Sequence, residues 1–429
     1  MQTQEHGNTM KSNHELIKRI TNRENLNRAF QKVKRNKGAA GVDAKDIEAT
    51  RLYLKEHGQE MIGLIQDGMY KPKAVRRVEI PKPNGGKRML GIPTVTDRVI
   101  QQAMIQVLTP IFEKQFSPFS YGFRPNKSAH QAIEQARQYI DEGYHYVVDM
   151  DLEKFFDKVQ HDKLMSLIAI TIEDKPTLKL IRRFLQAGIM ENGVVTVNKE
   201  GTPQGGPLSP LLSNIILNEL DKELEKRGHR FVRYADDCNI YVKSPKAGER
   251  VKAGITEFIE KKLKLKVNEE KSAVGKPSAR IFLGVSFYWR NQRIRVYVPK
   301  KTKQKLEEKV KKLTNRNWGV AIEYRILKLN QVIQGWGNYF KIGDIKQYAQ
   351  SIDAHIRRRL RACRWKEWKK IRTKYRNLKR LGISLNDAWR CANSRKGYWR
   401  NSNNPVLNRA LSNQYWLEQG LKSMIHVIS

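Results

Sequence analysis

Residues 231–242 read Phe-Val-Arg-Tyr-Ala-Asp-Asp-Cys-Asn-Ile-Tyr-Val, with apolar and β-branched residues on both sides of two adjacent acids. Such flanks are typical of two strands joined by a tight turn, so the pattern predicts a hairpin with Asp236 and Asp237 at its tip. Adjacent carboxylates repel each other, and this repulsion must be offset by exposure or by bound cations. For two acids taken alone, a hydrophilic surface turn is the simpler interpretation.

A second acidic strand favours the cation interpretation. Residues 146–157 read Tyr-Val-Val-Asp-Met-Asp-Leu-Glu-Lys-Phe-Phe-Asp. The strand period of two places Val148 and Met150 on one face and Asp149 and Asp151 on the other. If that acidic face meets the acidic hairpin, the carboxylates form a set of hard oxygen ligands suited to Mg²⁺. Two such ions support an in-line nucleotidyl transfer, and we therefore predict that chemistry.

The composition points to a polyanionic partner. The 429 residues include 82 Lys or Arg and 43 Asp or Glu, giving a formal charge of +39, which an anionic partner would neutralise. Residues 300–380 alone carry 25 basic and 6 acidic residues. Aromatic residues interrupt this basic segment, a combination that favours a nucleic-acid groove over a merely solvated helical face. These aromatic residues are Trp318, Trp336, Tyr339, Phe340, Trp365 and Trp368.

Other classes are disfavoured. No run of about 18 apolar residues occurs, and the first 15 residues are polar, so we expect no membrane association and a cytoplasmic location. The three cysteines form no CxxC pair and no cluster with histidine, which argues against a disulfide framework or a structural zinc. General adhesion to nucleic acid, as in other basic proteins, stays open on charge alone.

Hydrophobic periodicity predicts an α+β fold. Residues 24–38 have the pattern of an amphipathic helix, and residues 75–92 that of a basic β-hairpin with a turn at 81–88. Between 228 and 298, three runs typical of strands surround a helix at about 247–263. Beyond Pro299 the sequence is typical of helices.

The two acidic blocks together resemble the palm of reverse transcriptases. The resemblance implies a right-hand polymerase with fingers, an antiparallel palm sheet, an α-helical thumb and a small C-terminal DNA-binding region. In that family the metal-binding aspartate lies five residues before an aromatic residue, which selects Asp151, with Phe156, over Asp149. It implies that Asp151, Asp236 and Asp237 are catalytic and bind two Mg²⁺ ions, which Mn²⁺ can replace. Leu152, next to Asp151, falls at the implied metal and nucleotide sites.

The same resemblance implies a deoxynucleotide site. Phe156 would block a ribose 2′-hydroxyl, although a role in the core is the alternative. Gln204, in the Gly-Thr-Pro-Gln-Gly-Gly-Pro-Leu-Ser-Pro loop at 201–210, would touch the incoming nucleotide and the template. Lys82 and Arg88, on the basic hairpin, would grip the triphosphate, as would Lys271, unless they are ordinary surface charges. The segment 282–287 resembles the strand that holds the primer end.

Flanking segments resemble the bacterial group II intron branch of the family. They are residues 25–43, the Phe-Ser-Tyr-Gly-Phe-Arg-Pro block at 119–125, the maturase-like stretch at 329–340 and the tail around 397–400 and 415–421. The resemblance is to the compact, group IIC-like subclass that lacks an endonuclease domain. It implies four regions: an N-terminal extension at 1–74, fingers and palm at 75–298, a thumb or maturase domain at 299–375 and a DNA-binding region at 376–429.

The expected partners are an RNA template with a DNA primer, deoxynucleoside triphosphates, group II intron RNA and target DNA. The function implied is that of an RNA-directed DNA polymerase that also promotes splicing and retrohoming of its intron. A free-standing reverse transcriptase in DNA repair or phage defence would have nearly the same palm. A splicing factor with a vestigial polymerase site is a third reading, which the intact aspartates at 151, 236 and 237 disfavour. The oligomeric state is left open.

Overall fold

A computed structural model describes residues 15–81, 87–191, 194–196, 200–202 and 205–429. The chain divides into two compact units, one ending at Lys276 and one running from Pro277 to Ser429. The predicted region boundaries after residues 74, 298 and 375 remain predictions.

The first unit combines helices with two β-sheets. Its elements are α1 Leu16–Thr21, α2 Arg23–Arg35, α3 Ile47–Gln66, β1 Val75–Pro81, β2 Lys87–Ile92, α4 Val95–Glu113, α5 Ala129–Asp141, β3 Tyr146–Met150, α6 Phe155–Lys158, α7 His161–Thr171, α8 Lys175–Leu185, β4 Ile189–Glu191, β5 Val194–Thr196, α9 Ser209–Lys226, β6 Arg230–Tyr234, β7 Asp237–Val242, α10 Pro245–Phe258, a π-helical turn Ile259–Leu263 and β8 Ala273–Gly275.

One sheet holds both acidic segments. Its strand order is β6-β7-β3-β8, and every neighbouring pair is antiparallel. Val148 and Met150 are buried in the core while Asp149 and Asp151 are half-buried, which confirms the predicted alternation. Apolar residues of α9 and α10 pack into the same core, among them Leu224. Val147 and the β7 residues from Cys238 to Val242 are also buried, so both faces of the sheet are covered away from its acidic end.

The second sheet contains the predicted basic hairpin. β1 pairs antiparallel with β2 from Arg76 opposite Ile92 to Pro81 opposite Lys87, so the hairpin prediction is confirmed. β1 also pairs in parallel with β4, which continues into β5. That extension was not predicted, because strands of three residues are too short to show a periodic pattern.

The predicted helices are confirmed with shifted ends. The helix expected at 24–38 is α2, which begins after Asn22, whose side chain accepts hydrogen bonds from the backbone of Glu24 and Asn25. It ends at Arg35, before Gly38. The helix expected at 247–263 is α10 together with the π-helical turn.

The second unit is mainly helical and has its own apolar core. Its elements are a 3₁₀ turn Pro277–Ala279, β9 Ser286–Arg290, β10 Arg293–Tyr297, α11 Lys300–Leu313, α12 Ile322–Phe340, α13 Lys346–Glu367, α14 Ile371–Arg380, α15 Leu385–Ala392, α16 Tyr398–Asn401, α17 Pro405–Ala410, α18 Asn413–Glu418 and α19 Met424–Ile428. Antiparallel strands followed by these helices confirm the predicted α+β class. No helix in the described part of the chain is long and apolar enough to cross a membrane.

The expectation of a continuous strand at 282–287 is wrong. Phe282 and Val285 form an isolated bridge, and between them Leu283 and Gly284 have φ angles of 50° and 83°. The left-handed conformation makes this segment a tight turn, so β9 begins only at Ser286. Leu283 is unusual there, because such a φ angle disfavours residues other than glycine and asparagine.

Candidate active site

Strand register brings the two acidic segments together. β3 and β7 pair with Asp149 opposite Asn239 and Met150 opposite Cys238. Asp151 directly follows Met150, the last residue of β3, and lies close enough to Asp237 to contribute to its raised pKa. Asp149 and Asp151, which lie 85 to 88 positions before Asp236 and Asp237 in the sequence, are therefore at the same end of the sheet as those residues.

The acidic hairpin differs slightly from the prediction. Tyr234 pairs with Asp237, so Ala235 and Asp236 form the two-residue turn and Asp237 is the first residue of β7. Ala235 has a φ of 58°, a left-handed conformation that costs free energy for a residue with a Cβ. Asp236 and Asp237 are both half-buried, as Asp149 and Asp151 are.

The carboxylates are close enough to affect one another. Burial, followed by repulsion from Asp149, Asp236 and Asp151, raises the pKa of Asp237 to about 7. Among the described residues, no group of three acidic, histidine or cysteine side chains is placed to hold a metal ion. The side chains that converge are carboxylates, and hard oxygen donors of this type are the ligands that a divalent cation such as Mg²⁺ prefers.

The backbone of Asp151 is held by a loop after the π-helical turn. Its N–H donates to the Ser272 hydroxyl at 2.9 Å, and its carbonyl accepts from the Asn268 N–H at 2.8 Å. Lys271 from the same loop places Nζ 3.4 Å from Asp151 Oδ1, so the structure brings this predicted nucleotide-site lysine next to a predicted metal ligand. Leu152 is buried, which leaves its backbone as the part that could face an ion or a nucleotide.

A buried arginine is hydrogen-bonded to the backbone of the acidic turn. Arg233 is fully buried and donates from Nε and Nη2 to both carboxylate oxygens of Asp221, at 2.7 and 2.6 Å. Its Nη1 also donates to the Ala235 carbonyl at 2.8 Å and to Asn214 Oδ1 at 3.1 Å. This planar, bidentate geometry ties the acidic turn to helix α9.

The block at 119–125 also packs against the turn. The Tyr121 N–H donates to the Arg233 carbonyl at 2.8 Å, and the Arg233 N–H donates to the Phe119 carbonyl at 3.0 Å. A Cβ at Gly122 would lie 2.2 Å from the backbone nitrogen of Ala235. The close approach requires glycine at this position.

Phe156 lines a cleft of about 510 Å³ within the first unit. It is half-buried and packs edge-on against Phe155, with ring centroids 5.1 Å apart. Phe123 and Gly205 line the same cleft. Thr202 donates its N–H to the Phe156 carbonyl at 2.6 Å, which joins the Gly/Pro loop to this segment.

Three of the predicted nucleotide-site residues are described incompletely or not at all. Lys82 and Gln204 lie outside the described residues. Arg88 occupies β2 opposite Ile80, but its side chain is outside the described part. The predicted roles of these residues remain predictions.

Sequence reasoning missed the supporting residues. Arg233, Asp221 and Ser272 were not predicted, and Gly122 was noted only within a family block. One signal was present: Arg233 shares a strand face with Phe231 in an otherwise apolar segment. A charged residue at a core position needs a buried partner, but the sequence does not say which one.

Family comparison identifies the class of protein. The reverse transcriptase (RNA-dependent DNA polymerase) family matches residues 80–287, which include both acidic segments. The group II intron maturase-specific domain matches residues 303–382. The chain thus has a reverse transcriptase region followed by a maturase-specific domain.

Two relatives refine the assignment. YkfC of Escherichia coli (strain K12) is 34% identical over 299 residues, which cover 60% of this chain and 78% of YkfC. The group II intron-encoded protein LtrA of Lactococcus lactis subsp. cremoris is 33% identical over 311 residues, which cover 57% of this chain and 52% of LtrA. The chain belongs to the family of group II intron reverse transcriptases and maturases. It spans about half the length of LtrA. Reverse transcriptases use divalent metal ions and bind nucleic-acid templates.

Proposed function

We propose that this protein copies RNA into DNA from a DNA primer, using deoxynucleoside triphosphates, and that Asp151, Asp236 and Asp237 hold two Mg²⁺ ions. The observation that carries the proposal is the register of β3 against β7, which sets Asp151 beside the acidic turn. The raised pKa of Asp237, caused by burial and then by the neighbouring carboxylates, supports a cluster that a cation would stabilise.

In this proposal the side chains have separate roles. Asp151, Asp236 and Asp237 would hold the ions, which when bound would supply the positive charge needed to activate the primer 3′-hydroxyl and to stabilise the leaving pyrophosphate. Lys271, next to Asp151, contacts the triphosphate. Lys82, Arg88 and Gln204 are proposed to complete the nucleotide site on the strength of the family resemblance.

The direct test is extension of a DNA primer on an RNA template by the purified protein. We expect synthesis that requires Mg²⁺ and that Mn²⁺ also supports. A protein that binds template and primer but makes no DNA with either ion would contradict the proposal and favour a splicing factor without polymerase activity.

We further propose that the protein binds its group II intron RNA, promotes its splicing and takes part in its insertion into target DNA. The maturase-specific match at 303–382 supports this over a free-standing reverse transcriptase in DNA repair or phage defence. Sequencing the RNA that co-purifies with the protein would test it. Recovery of RNA without intron domains would favour the free-standing enzyme.

Phe156 is proposed to select deoxyribose. Replacing it with alanine would open the cleft where a ribose 2′-hydroxyl would lie, so we expect incorporation of ribonucleotides relative to deoxynucleotides to rise at least about tenfold in Phe156→Ala. The measurement is single-nucleotide extension with each nucleotide type. Phe123→Ala, which removes another aromatic ring from the same cleft, is the matched control. An equal rise in ribonucleotide incorporation in both variants, or no rise in Phe156→Ala, would indicate that Phe156 has only a packing role.

Binding to template and primer should depend strongly on salt. The formal charge of +39 predicts many phosphate contacts, each of which releases counterions on binding. Raising the salt from about 50 to about 200 mM should weaken binding at least roughly 100-fold. Affinity measured by fluorescence anisotropy across this range checks the prediction, and a flat salt dependence would show that phosphate contacts contribute little.

A further inference from the structure

A cleft of about 580 Å³ opens in the second unit, between helices α11 and α12. Trp336, Tyr339 and Phe340 form its aromatic part, and Gly335 opens one side. The Trp336 ring lies 4.6 Å from that of Phe340 and 5.6 Å from that of Tyr348, measured between centroids. Its volume falls in the usual range of ligand sites, roughly 300–1,000 Å³.

The charge at the cleft has one sign. Lys305, Lys309 and Lys328 line it, and no acidic side chain of the described chain does. Within the described residues, none of these lysines forms an ion pair, although many other surface lysines do, such as Lys261 with Glu257. Lys328 Nζ lies 5.3 Å from the ring centroid of Tyr324, outside the cleft. Ammonium groups without an acidic partner beside aromatic rings favour a ligand with both phosphate and a planar ring.

We infer that this cleft holds an unpaired nucleotide of an RNA. In a continuous duplex the bases are stacked inside, so a duplex could use the lysines but not the recessed aromatic rings. Proteins that recognise folded RNA commonly stack the exposed bases of loops and bulges on aromatic side chains. RNA is favoured as the source because every lining residue falls within the 303–382 maturase-specific match. The inference rests on the proposed RNA-binding function and adds a site to it.

Filling the cleft tests the inference. Gly335 is in the middle of α12, and a Cβ built there meets no other atom within 4 Å, so Gly335→Leu should occupy the cleft while leaving the fold intact. For a short RNA oligonucleotide without internal pairing, we expect the dissociation constant of Gly335→Leu to rise about tenfold. For the same RNA annealed to its complement, we expect a change of less than about twofold.

Gly58→Leu is the matched control. Gly58 also lies inside a helix, α3, with no atom within 4 Å of a Cβ, but in the first unit. It should bind both RNAs like the unsubstituted protein, and thermal unfolding of both variants should show intact folding. Unchanged binding of unpaired RNA by Gly335→Leu would overturn the inference, as would an equal loss for the duplex. An equal loss for an unpaired DNA of the same sequence would overturn the assignment to RNA.

The RNA-binding test of the cleft and the primer-extension test of the polymerase site can fail independently of each other. Primer extension tests the aspartate site in the first unit, while the two RNA affinities test the cleft in the second unit. If the unsubstituted protein extends primers but Gly335→Leu binds unpaired RNA as tightly as it does, only the inference about the cleft is refuted. Protein that binds unpaired RNA through the cleft but makes no DNA would refute only the polymerase proposal.

Discussion

Asp236→Asn should abolish primer extension, with a loss of at least about 10³-fold in kcat. Asp236 lies at the tip of the acidic turn, and its repulsion contributes to the raised pKa of Asp237. The amide has nearly the same shape but no charge, so it removes a hard anionic ligand while preserving the turn. Single-turnover extension with saturating Mg²⁺ measures the effect on chemistry apart from product release.

Asp162→Asn is the matched control for this prediction. Asp162 is on α7 with its side chain 88% exposed and pairs with Arg182, and surface ion pairs of this kind contribute little to stability. We expect Asp162→Asn to extend primers at the unsubstituted rate. If Asp236→Asn extended primers at a rate within about tenfold of the unsubstituted protein, Asp236 would not be a metal ligand.

The side chains proposed to be catalytic could be selected from the sequence because they have strong local signals. Asp151 follows a strand with a period of two, and Asp236 and Asp237 interrupt a run of apolar residues. Their meeting could be anticipated because the strand period puts Asp149 and Asp151 on the face opposite Val148 and Met150. The structure confirms that geometry, while the metal-binding role remains a proposal.

The residues that hold these side chains in place were not predictable. Ser272 contacts Asp151 from 121 positions away, and Arg233 reaches Asp221 across the helix-to-strand connection. Serine and arginine are common surface residues. The strand face that Arg233 shares with Phe231 hinted at its burial, but nothing in the neighbouring sequence identified Asp221 as its partner or indicated that Ser272 is buried. Their partners depend on the tertiary fold, which hydrophobic periodicity does not specify.

The prediction of a continuous strand at 282–287 failed for a related reason. The apolar residues of this segment are typical of a strand, and only Gly284 hinted at a turn. Glycine within an apolar run is also common at bulges and close packing contacts in strands. Gly284 therefore did not distinguish a turn from an irregular strand. The left-handed conformation of Leu283 had no signal in the sequence.

Gly122→Ala should reduce primer extension about 100-fold without changing any predicted catalytic residue. The new Cβ would lie 2.2 Å from the Ala235 nitrogen and 2.9 Å from the Tyr234 carbonyl carbon. Both are backbone atoms, so the clash cannot be relieved by a side-chain rotation. The acidic turn itself must move, and a shift of about 1 Å is enough to cost about 100-fold in rate.

The measurement must separate a displaced turn from a protein that has lost its fold. Gly63→Ala makes the same chemical change within α3, where a Cβ meets no atom within 4 Å, and we expect it to retain full activity. Gly122→Ala should still bind template and primer with nearly normal affinity, because the basic surface is unchanged, while kcat falls. Loss of binding in parallel with kcat would indicate unfolding. Full activity would mean that the 119–125 block yields to the new methyl group, so that the acidic turn keeps its position without the close contact at Gly122.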